Sequence, residues 1–358
     1  MRFLPGHCTV SSEYDVIDLA NASKDTKEIK MIIDVQCHIY SKRLTEILEK
    51  HSILPQVRDS ADKCFLDYNG KQKFALDHQL FSVQRILEDM KASGVTTALI
   101  SSNLPELSSM PAPITAKACS VINEELAELS QIHKGIVFGI GNVPWTEPDD
   151  AQLELERVKK LGLKGVMLYS HSNGVMSDDA RMEPSYALCG ELDIPIVLHP
   201  NIPVWFEHMH EYRLVSAIGF MADTSYALAR LIYSGMFTKY PKMKVVMPHA
   251  GGVLPYLAGR ISRTNPINVS WKNPNSEALS PMDQMKKMNI WYDTVAHSVE
   301  TLKFLRNFVS PDKILFGTDH PYADYIYSVE LFNKVGFEGE EREKVLWKNA
   351  NSLFNLGL

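Results

Sequence analysis

The sequence has no long apolar run, no basic tract and few cysteines. No apolar stretch in its 358 residues approaches the roughly 18 residues that a membrane-spanning helix requires. Lys and Arg number 37 against 43 Asp and Glu, and the resulting net charge of -6 is mixed along the chain, without the basic patch typical of nucleic-acid binding. The composition therefore predicts neither a membrane nor a nucleic-acid partner.

The five cysteines are scattered and odd in number, and no two form a C-x-x-C pair. This pattern argues against a disulfide framework or a zinc finger and favours free thiols in a reducing compartment. The first 30 residues also lack the charged start and apolar block of a secretion signal. We therefore expect a cytoplasmic protein.

Strand and helix patterns alternate along most of the chain. Short apolar runs predict strands at residues 32–37, 95–100, 135–140, 163–168, 194–198, 244–247, 290–292 and 313–316. Each is followed by a stretch with helical spacing of apolar residues. Eight such units imply an α/β protein with a parallel, closed (β/α)8 TIM barrel, because right-handed crossovers place every helix outside the sheet. One domain over residues 31–358 accounts for the length.

Two segments depart from this alternation. Residues 1–30 are rich in Ser, Asp, Asn and Lys and predict a surface arm. Residues from about 41 to 80 are irregular and follow the first strand, so they predict an insertion that lies over the barrel mouth. Within it, Asp67-Tyr-Asn-Gly-Lys71 is typical of a hairpin turn.

Four predicted strands end in side chains that can bind a metal or move a proton. These ends are Gln36-Cys-His38, His199-Pro200, His249-Ala-Gly-Gly252 and Phe316-Gly-Thr-Asp319-His-Pro321. The C-terminal ends of barrel strands carry the chemistry in this architecture. A single histidine at such a place is more often a hydrogen-bonding residue, so the prediction depends on finding the four motifs together.

These motifs resemble those of the amidohydrolase-related family of metal-dependent decarboxylases and hydrolases, whose members act on aminocarboxymuconate semialdehyde and on hydroxybenzoic acids. Further matches are Pro255 to Arg260 and the segment from Gly219-Phe-Met-Ala-Asp223-Thr224 to Tyr240-Pro-Lys-Met-Lys-Val. The resemblance covers residues 32 to about 351. It implies an amidohydrolase-like barrel, a small-molecule carboxylate substrate and a homodimer.

The strand ends and the resemblance together predict one divalent metal. His38, His199 and Asp319 supply two imidazoles and a carboxylate, which suits zinc, or manganese where more oxygen and water enter. Gln36 departs from the family pattern, which has histidine or glutamate there. Its neutral amide is either a weak fourth ligand or an outer hydrogen-bonding partner; otherwise it lowers the metal affinity or abolishes catalysis.

The resemblance also implies roles for two catalytic residues. His249 is the expected proton shuttle beside the metal, a role that suits an imidazole because it titrates near neutral pH. Asp319 is expected to be both a ligand and the proton donor to the carbon that loses carbon dioxide. The second role requires that burial raise the pKa of its carboxyl.

Five further residues are predicted near the barrel mouth as candidates for substrate contact. Tyr169 and His171 follow the fourth strand, and Asp293 and His297 follow the seventh. Arg260 is a candidate clamp for a substrate carboxylate, although a structural role at the barrel rim is favoured for it.

Decarboxylation of an aromatic or unsaturated carboxylic acid is the function favoured by this reading, because a metal with open positions helps to absorb the electron density left by bond cleavage. Hydrolysis of an amide, a lactone or a carbon–carbon bond is the alternative, with His249 and Asp319 activating water. A third hypothesis is a non-catalytic barrel whose metal site has been weakened through Gln36.

Overall fold

The computed structural model describes residues 31–50, 55–60, 63–67, 73–102, 107, 110–209, 211–263 and 279–358. Its central sheet has eight strands in the order β1 (Ile33–Ile39), β2 (Thr97–Ser102), β3 (Val137–Asn142), β4 (Gly165–Tyr169), β5 (Ile196–His199), β6 (Val245–Met247), β7 (Ile290–Asp293) and β8 (Ile314–Leu315). Adjacent strands are parallel throughout. The predicted arm at residues 1–30 and the centre of the predicted hairpin turn lie outside the described residues.

Backbone hydrogen bonds between β1 and the chain around and beyond β8 close the sheet into a barrel. Val35 N–H donates to Phe316 O over 3.0 Å, and His38 N–H donates to His320 O over 2.8 Å. Asp319 N–H donates to Gln36 O, also over 2.8 Å. The predicted (β/α)8 TIM barrel is therefore confirmed, and its closing seam runs through the residues predicted to be functional.

Helices surround the barrel, and their ends carry the expected signals. For example, the Ser82 hydroxyl accepts a hydrogen bond from Arg85 N–H at the start of the second helix, which ends at left-handed Gly94. The helices are α1 (Lys42–Glu49), α2 (Val83–Ser93), α3 (Ala112–Ile132), α4 (Pro148–Leu161), α5 (Glu183–Leu192), α6 (Phe220–Tyr233), α7 (Met236–Lys239), α8 (Leu254–Ser262), α9 (Pro281–Lys287), α10 (Val299–Phe308), α11 (Tyr325–Asn333), α12 (Gly339–Glu343) and α13 (Asn349–Leu353). Within the described ranges, no helix combines the length and apolar character of a membrane span.

The chain between β1 and α2 contains α1 and a small antiparallel sheet. Its three strands are Gln56–Ser60, Lys63–Asp67 and Lys73–Ala75, paired in that order. α1 packs its buried Leu44 and Leu48 toward the core. This small sheet is separate from the barrel sheet, so the segment does not interrupt the strand order of the barrel.

An irregularity in β1 turns its polar residues toward the barrel axis. Ile33 and Val35 pack in the interior of the barrel, whereas Cys37 and Ile39 pack in the outer layer between strands and helices. The register of β1 against β2 shifts between Asp34 and Cys37. A β-bulge of this kind changes which side chains face a given side, so Gln36 and His38 point inward at the C-terminal mouth.

Candidate metal-dependent active site

The five polar side chains at the strand ends meet at the C-terminal mouth of the barrel. His38 Nε2 lies 3.0 Å from Asp319 Oδ1, and the rings of His38 and His199 meet edge to face with centroids 5.3 Å apart. His249 Nε2 lies 3.8 Å from Asp319 Oδ2 and 3.3 Å from Gln36 Nε2. Residues that are up to 283 positions apart in sequence thus form one cluster.

Asp319 is the centre of this cluster. Desolvation by burial pushes the pKa of its carboxyl upward. His249 and His38 oppose this effect through their hydrogen bonds and charges, and they hold the pKa well below its usual range. The net effect is a lowered pKa, contrary to the expectation that the surroundings of Asp319 would raise it. The surroundings favour Asp319 as an ionised ligand or proton acceptor over Asp319 as a proton donor.

His199 is fixed as a neutral imidazole. Its Nδ1 lies 2.9 Å from Pro200 O, so Nδ1 carries the proton and donates a hydrogen bond to this carbonyl, which leaves the lone pair on Nε2. Burial, together with the nearby His38, lowers the pKa of His199 to about 3. A neutral imidazole with one bare nitrogen is the form that binds a metal.

His249 sits in a turn that takes an unusual backbone conformation. His249, Ala250, Gly251 and Gly252 all have positive φ, from 53° to 88°. The buried carboxylate of Asp293 stabilises this turn by accepting hydrogen bonds from Ala250 N–H and Val295 N–H, each 3.0 Å long. Asp293 thereby holds the backbone that carries His249.

The pKa values in this turn reflect burial and the neighbouring charges. Burial disfavours protonation of His249, but its proximity to the Asp319 carboxylate dominates and raises the pKa. Burial raises the pKa of Asp293 to about 6, against the opposing effect of His249. His249 is therefore the group in the cluster whose surroundings favour holding a proton near neutral pH.

The donor atoms fit a divalent cation, although no group of three or more His, Cys, Asp or Glu side chains in the described ranges is already spaced around one point. The 3.0 Å contact between His38 Nε2 and Asp319 Oδ1 is a hydrogen bond when Nε2 carries the proton. Ser101 Oγ lies 2.9 Å from His38 Nδ1 and can accept a hydrogen bond from Nδ1–H in the other tautomer, which leaves the lone pair of Nε2 for a cation. Two imidazoles with a carboxylate suit zinc or manganese.

A cavity of about 780 Å³ opens above the cluster. His199, His249 and Asp319 contribute to its wall, and Tyr40 and Tyr322 add aromatic surface. The two tyrosine hydroxyls lie 3.4 Å apart, and the Tyr40 ring stacks on Phe81 at 3.9 Å between centroids. The cavity therefore combines an aromatic wall with a polar floor, as binding sites for small aromatic molecules do.

The structure divides the predicted substrate-contact residues into two groups. Tyr169 and His297 line the cavity. His171, Asp293 and Arg260 are not among the described residues that line the cavity. His171 is buried with Nε2 2.9 Å from Ile202 O, Asp293 holds the turn described above, and Arg260 is exposed on α8.

A second buried carboxylate supports the loop after β5. Asp223, at the start of α6, accepts hydrogen bonds from Asn201 N–H over 3.1 Å and from the Ser170 hydroxyl. Burial raises its pKa. Because Asn201 follows His199-Pro200 directly, Asp223 fixes the backbone beside His199.

The sequence reading missed several residues of the site. Ser101 orients His38 and could have been found, because it also stands at the C-terminal end of a predicted strand region. Tyr40, Tyr322 and Arg213 line the cavity from loops. Loop residues carry no periodic signal, so only the three-dimensional structure identifies them.

The fold and the cluster together define a (β/α)8 barrel with a metal-binding type of site at its C-terminal mouth. The sequence profile described as amidohydrolase matches residues 33–356, so the chain belongs to the amidohydrolase family. This match covers the whole barrel and every residue of the cluster.

Curated relatives of the chain are decarboxylases of unsaturated and aromatic acids. The 2-amino-3-carboxymuconate-6-semialdehyde decarboxylase of Dictyostelium discoideum is 28% identical over 66% of this chain, a match that spans 66% of the relative, just under two thirds of its length. The gamma-resorcylate decarboxylase of Polaromonas sp. is 28% identical over 78% of this chain, and the match spans 90% of that protein.

Solved structures share the fold. The apo form of Metarhizium anisopliae IDCase superposes with a TM-score of 0.82 at 22% identity, covering 92% of this chain and 98% of that chain. A dihydroxybenzoic acid decarboxylase from Polaromonas sp., solved with bound manganese and the inhibitor 2-nitroresorcinol, has a TM-score of 0.74 at 24% identity, covering 92% of this chain and 98% of that chain.

Proposed function

We propose that this protein is a metal-dependent decarboxylase of an aromatic or unsaturated carboxylic acid. The observation that carries the proposal is the convergence of His38, His199 and Asp319, with His249 beside them, on the floor of an aromatic-walled cavity. The decarboxylase relatives support the reaction type.

His38 Nε2, His199 Nε2 and the Asp319 carboxylate would hold the divalent metal. When bound, the metal supplies Lewis-acid stabilisation of negative charge on the substrate. Zinc is the metal predicted by the donor set, and manganese is supported by the ion in the Polaromonas structure. Reconstitution of the metal-depleted protein with each ion in turn, followed by activity measurements, distinguishes the two.

The chain's own residues supply orientation and proton transfer. Pro200 O and Ser101 Oγ orient the two histidine ligands through their Nδ1 atoms. His249 is assigned as the proton shuttle, because its surroundings raise its pKa and it lies at the wall of the cavity. Asp319 is assigned as a ligand and as the acceptor that keeps His249 in place.

The test is product analysis with a panel of hydroxybenzoates, heteroaromatic acids and muconate-like acids. Release of carbon dioxide from one or more of them, abolished in His38→Ala and Asp319→Asn variants that still fold, is the expected result. Acid products that incorporate oxygen from labelled water would instead identify a hydrolase. Normal turnover in either variant would contradict the assignment of the site.

We also propose that the protein is a homodimer, as the family resemblance implies. Light scattering coupled to size-exclusion chromatography measures the molar mass directly. A mass near 81 kDa, roughly twice the 40.4 kDa of one chain, is expected. A mass equal to that of one chain would reject the proposal.

A further inference from the structure

The cavity wall carries one permanent positive charge. Among the described residues that line the cavity, Arg213 is the only lysine or arginine, and Asp319 is the only aspartate or glutamate. The rest of the wall includes the uncharged aromatic side chains of Tyr40, Tyr169 and Tyr322. An arginine in such a wall is available to bind an anion that enters the cavity.

The two opposite charges in this wall do not neutralise each other. His38 Nε2 and Gln36 Nε2 lie 3.0 and 3.2 Å from Asp319 Oδ1 and form hydrogen bonds with it. The backbone carbonyl of Arg213 accepts hydrogen bonds from Ser216 Oγ and Ala217 N–H, at 3.2 and 3.0 Å. Its guanidinium forms no ion pair with any acid of the described ranges, so this group is free to bind a ligand.

The backbone at Arg213 is strained. Tyr212 and Arg213 are consecutive, both line the cavity, and both have φ of 57°. L residues with a Cβ enter this left-handed region only at an energetic cost, and such strain is concentrated at binding and catalytic sites. The π-helical turn Val215–Gly219 that follows connects this segment to α6. Strain and charge thus coincide in one short segment.

We propose that Arg213 binds a second anionic group of the substrate, so that the enzyme selects dicarboxylic acids over monocarboxylic acids of the same ring. This inference rests on the proposed decarboxylase function. The reacting carboxylate would lie at the His38, His199 and Asp319 end of the cavity, and the second carboxylate at Arg213. A guanidinium binds a carboxylate through two parallel hydrogen bonds.

The size of the cavity is consistent with this substrate class. Its volume of about 780 Å³ lies in the upper half of the roughly 300–1,000 Å³ range of small-molecule sites. Arg213 is exposed at the mouth, whereas His199 is buried at the floor. A substrate with one carboxylate at the floor, where the proposed metal would bind, and a second at the mouth beside Arg213 fits this arrangement.

The test compares two probes that differ by one carboxylate, 2-hydroxybenzoate and 4-hydroxyisophthalate. Dissociation constants are measured by calorimetry on manganese-loaded wild type, Arg213→Met, Arg213→Lys and Lys160→Met, together with kcat/KM for carbon dioxide release. Lys160 is an exposed residue of the last turn of α4, outside the cavity, and controls for the loss of one positive charge.

Arg213→Met should weaken binding of the dicarboxylate about 10- to 100-fold, which is the range for loss of a charge-assisted hydrogen-bonded pair. It should weaken binding of the monocarboxylate less than about twofold. Arg213→Lys should recover part of the loss, because it keeps the charge without the planar fork. Lys160→Met should match wild type. Equal losses for both probes, or no loss for the dicarboxylate, would overturn the inference.

These outcomes separate the inference from the proposed function. If no acid releases carbon dioxide but the Arg213-dependent preference for the dicarboxylate persists in calorimetry, the decarboxylase assignment fails and the anion site stands. If carbon dioxide is released with equal preference in wild type and Arg213→Met, the anion site fails and the decarboxylase stands. If Arg213→Met does not fold, Arg213→Lys carries the test, with a reduced dicarboxylate preference expected and an unchanged preference contradicting it.

Discussion

Gln36 Nε2 donates a hydrogen bond to Asp319 Oδ1 over 3.2 Å and joins two residues that lie 283 positions apart. The same nitrogen is 3.3 Å from His249 Nε2, while Gln36 Oε1 is buried without a hydrogen-bond partner in the described part of the chain. Because a carboxylate only accepts, the amide presents its donor side to Asp319. In this orientation Gln36 is a hydrogen-bond donor to Asp319 and lies beside His249.

The first prediction follows from this contact. Gln36→Glu should increase the affinity for a divalent cation about tenfold or more, because added negative charge beside the proposed ligands tightens cation binding. Competition with a chelator of known affinity measures the change. Gln36→Met, which has a similar length without the donor or the charge, should show no such gain. Unchanged or weaker binding in the Glu variant would contradict the prediction.

The second prediction concerns the turn that carries His249. Asp293→Ala leaves two buried N–H groups, those of Ala250 and Val295, without their acceptor. The loss should destabilise the protein by about 2–5 kcal/mol and reduce kcat. Asp293→Asn keeps an acceptor oxygen in place and should lose less of both. Chemical denaturation and steady-state kinetics measure the two effects, and equal behaviour of Ala and Asn would reject the hydrogen-bonding role.

The third prediction compares two glycines that lie seven residues apart. A Cβ on Gly252, where φ is 59°, would lie 2.6 Å from Met221 O and from Ser225 Oγ. A Cβ on Gly259, inside α8, meets nothing within 4 Å. Gly252→Ala should therefore lower both the melting temperature and activity, whereas Gly259→Ala should stabilise the protein by about 1 kcal/mol through helix propensity. Calorimetry of both variants tests this contrast, and a harmless Gly252→Ala would show that the turn tolerates a side chain.

The fourth prediction concerns Asp34, a buried carboxyl that accepts hydrogen bonds from Gln36 N–H, Thr318 N–H and the Thr318 hydroxyl. Burial raises its pKa to about 7, against the opposing effect of these hydrogen bonds. Between about pH 4 and pH 7 the folded state therefore holds a proton that the unfolded chain has released. Stability attributable to Asp34 is lost as the pH rises through this window.

Asp34→Asn removes this titration. From about pH 4 to pH 8, the free energy of unfolding of wild type should fall relative to that of Asp34→Asn by up to about 4 kcal/mol. This figure corresponds to the rise of the Asp34 pKa from its usual value to about 7. Melting temperatures of both proteins across this range provide the measurement. Parallel curves would show that Asp34 does not titrate in the folded protein over this range.

Much of the fold could be predicted from the sequence because the barrel repeats a local pattern. Each strand is a short apolar run, and each ends within a few residues of its predicted position; β5 was expected at residues 194–198 and is Ile196–His199. The site could be predicted in outline for the same reason. His38, His199, His249 and Asp319 follow such runs directly, and parallel strands bring their ends to one side of the sheet.

The roles of individual residues were harder to predict. Asp293 is the last residue of β7, at the end of the barrel where substrate ligands are expected, yet its carboxylate is directed to the backbone of a neighbouring turn. His171 likewise contacts Ile202 O. Position along a strand determines which end of the barrel a residue occupies, but the direction of its side chain depends on partners that are distant in sequence.

The sequence by itself determined the eight-unit barrel and the family, because both depend on periodicity and on short motifs that are local in the chain. Only the tertiary structure revealed the β-bulge in β1, the lowering of the pKa of Asp319 by His38 and His249, and the position of Arg213 in the cavity wall. These features arise from contacts between residues far apart in sequence, where electrostatic and packing energies depend on distances that no local pattern encodes.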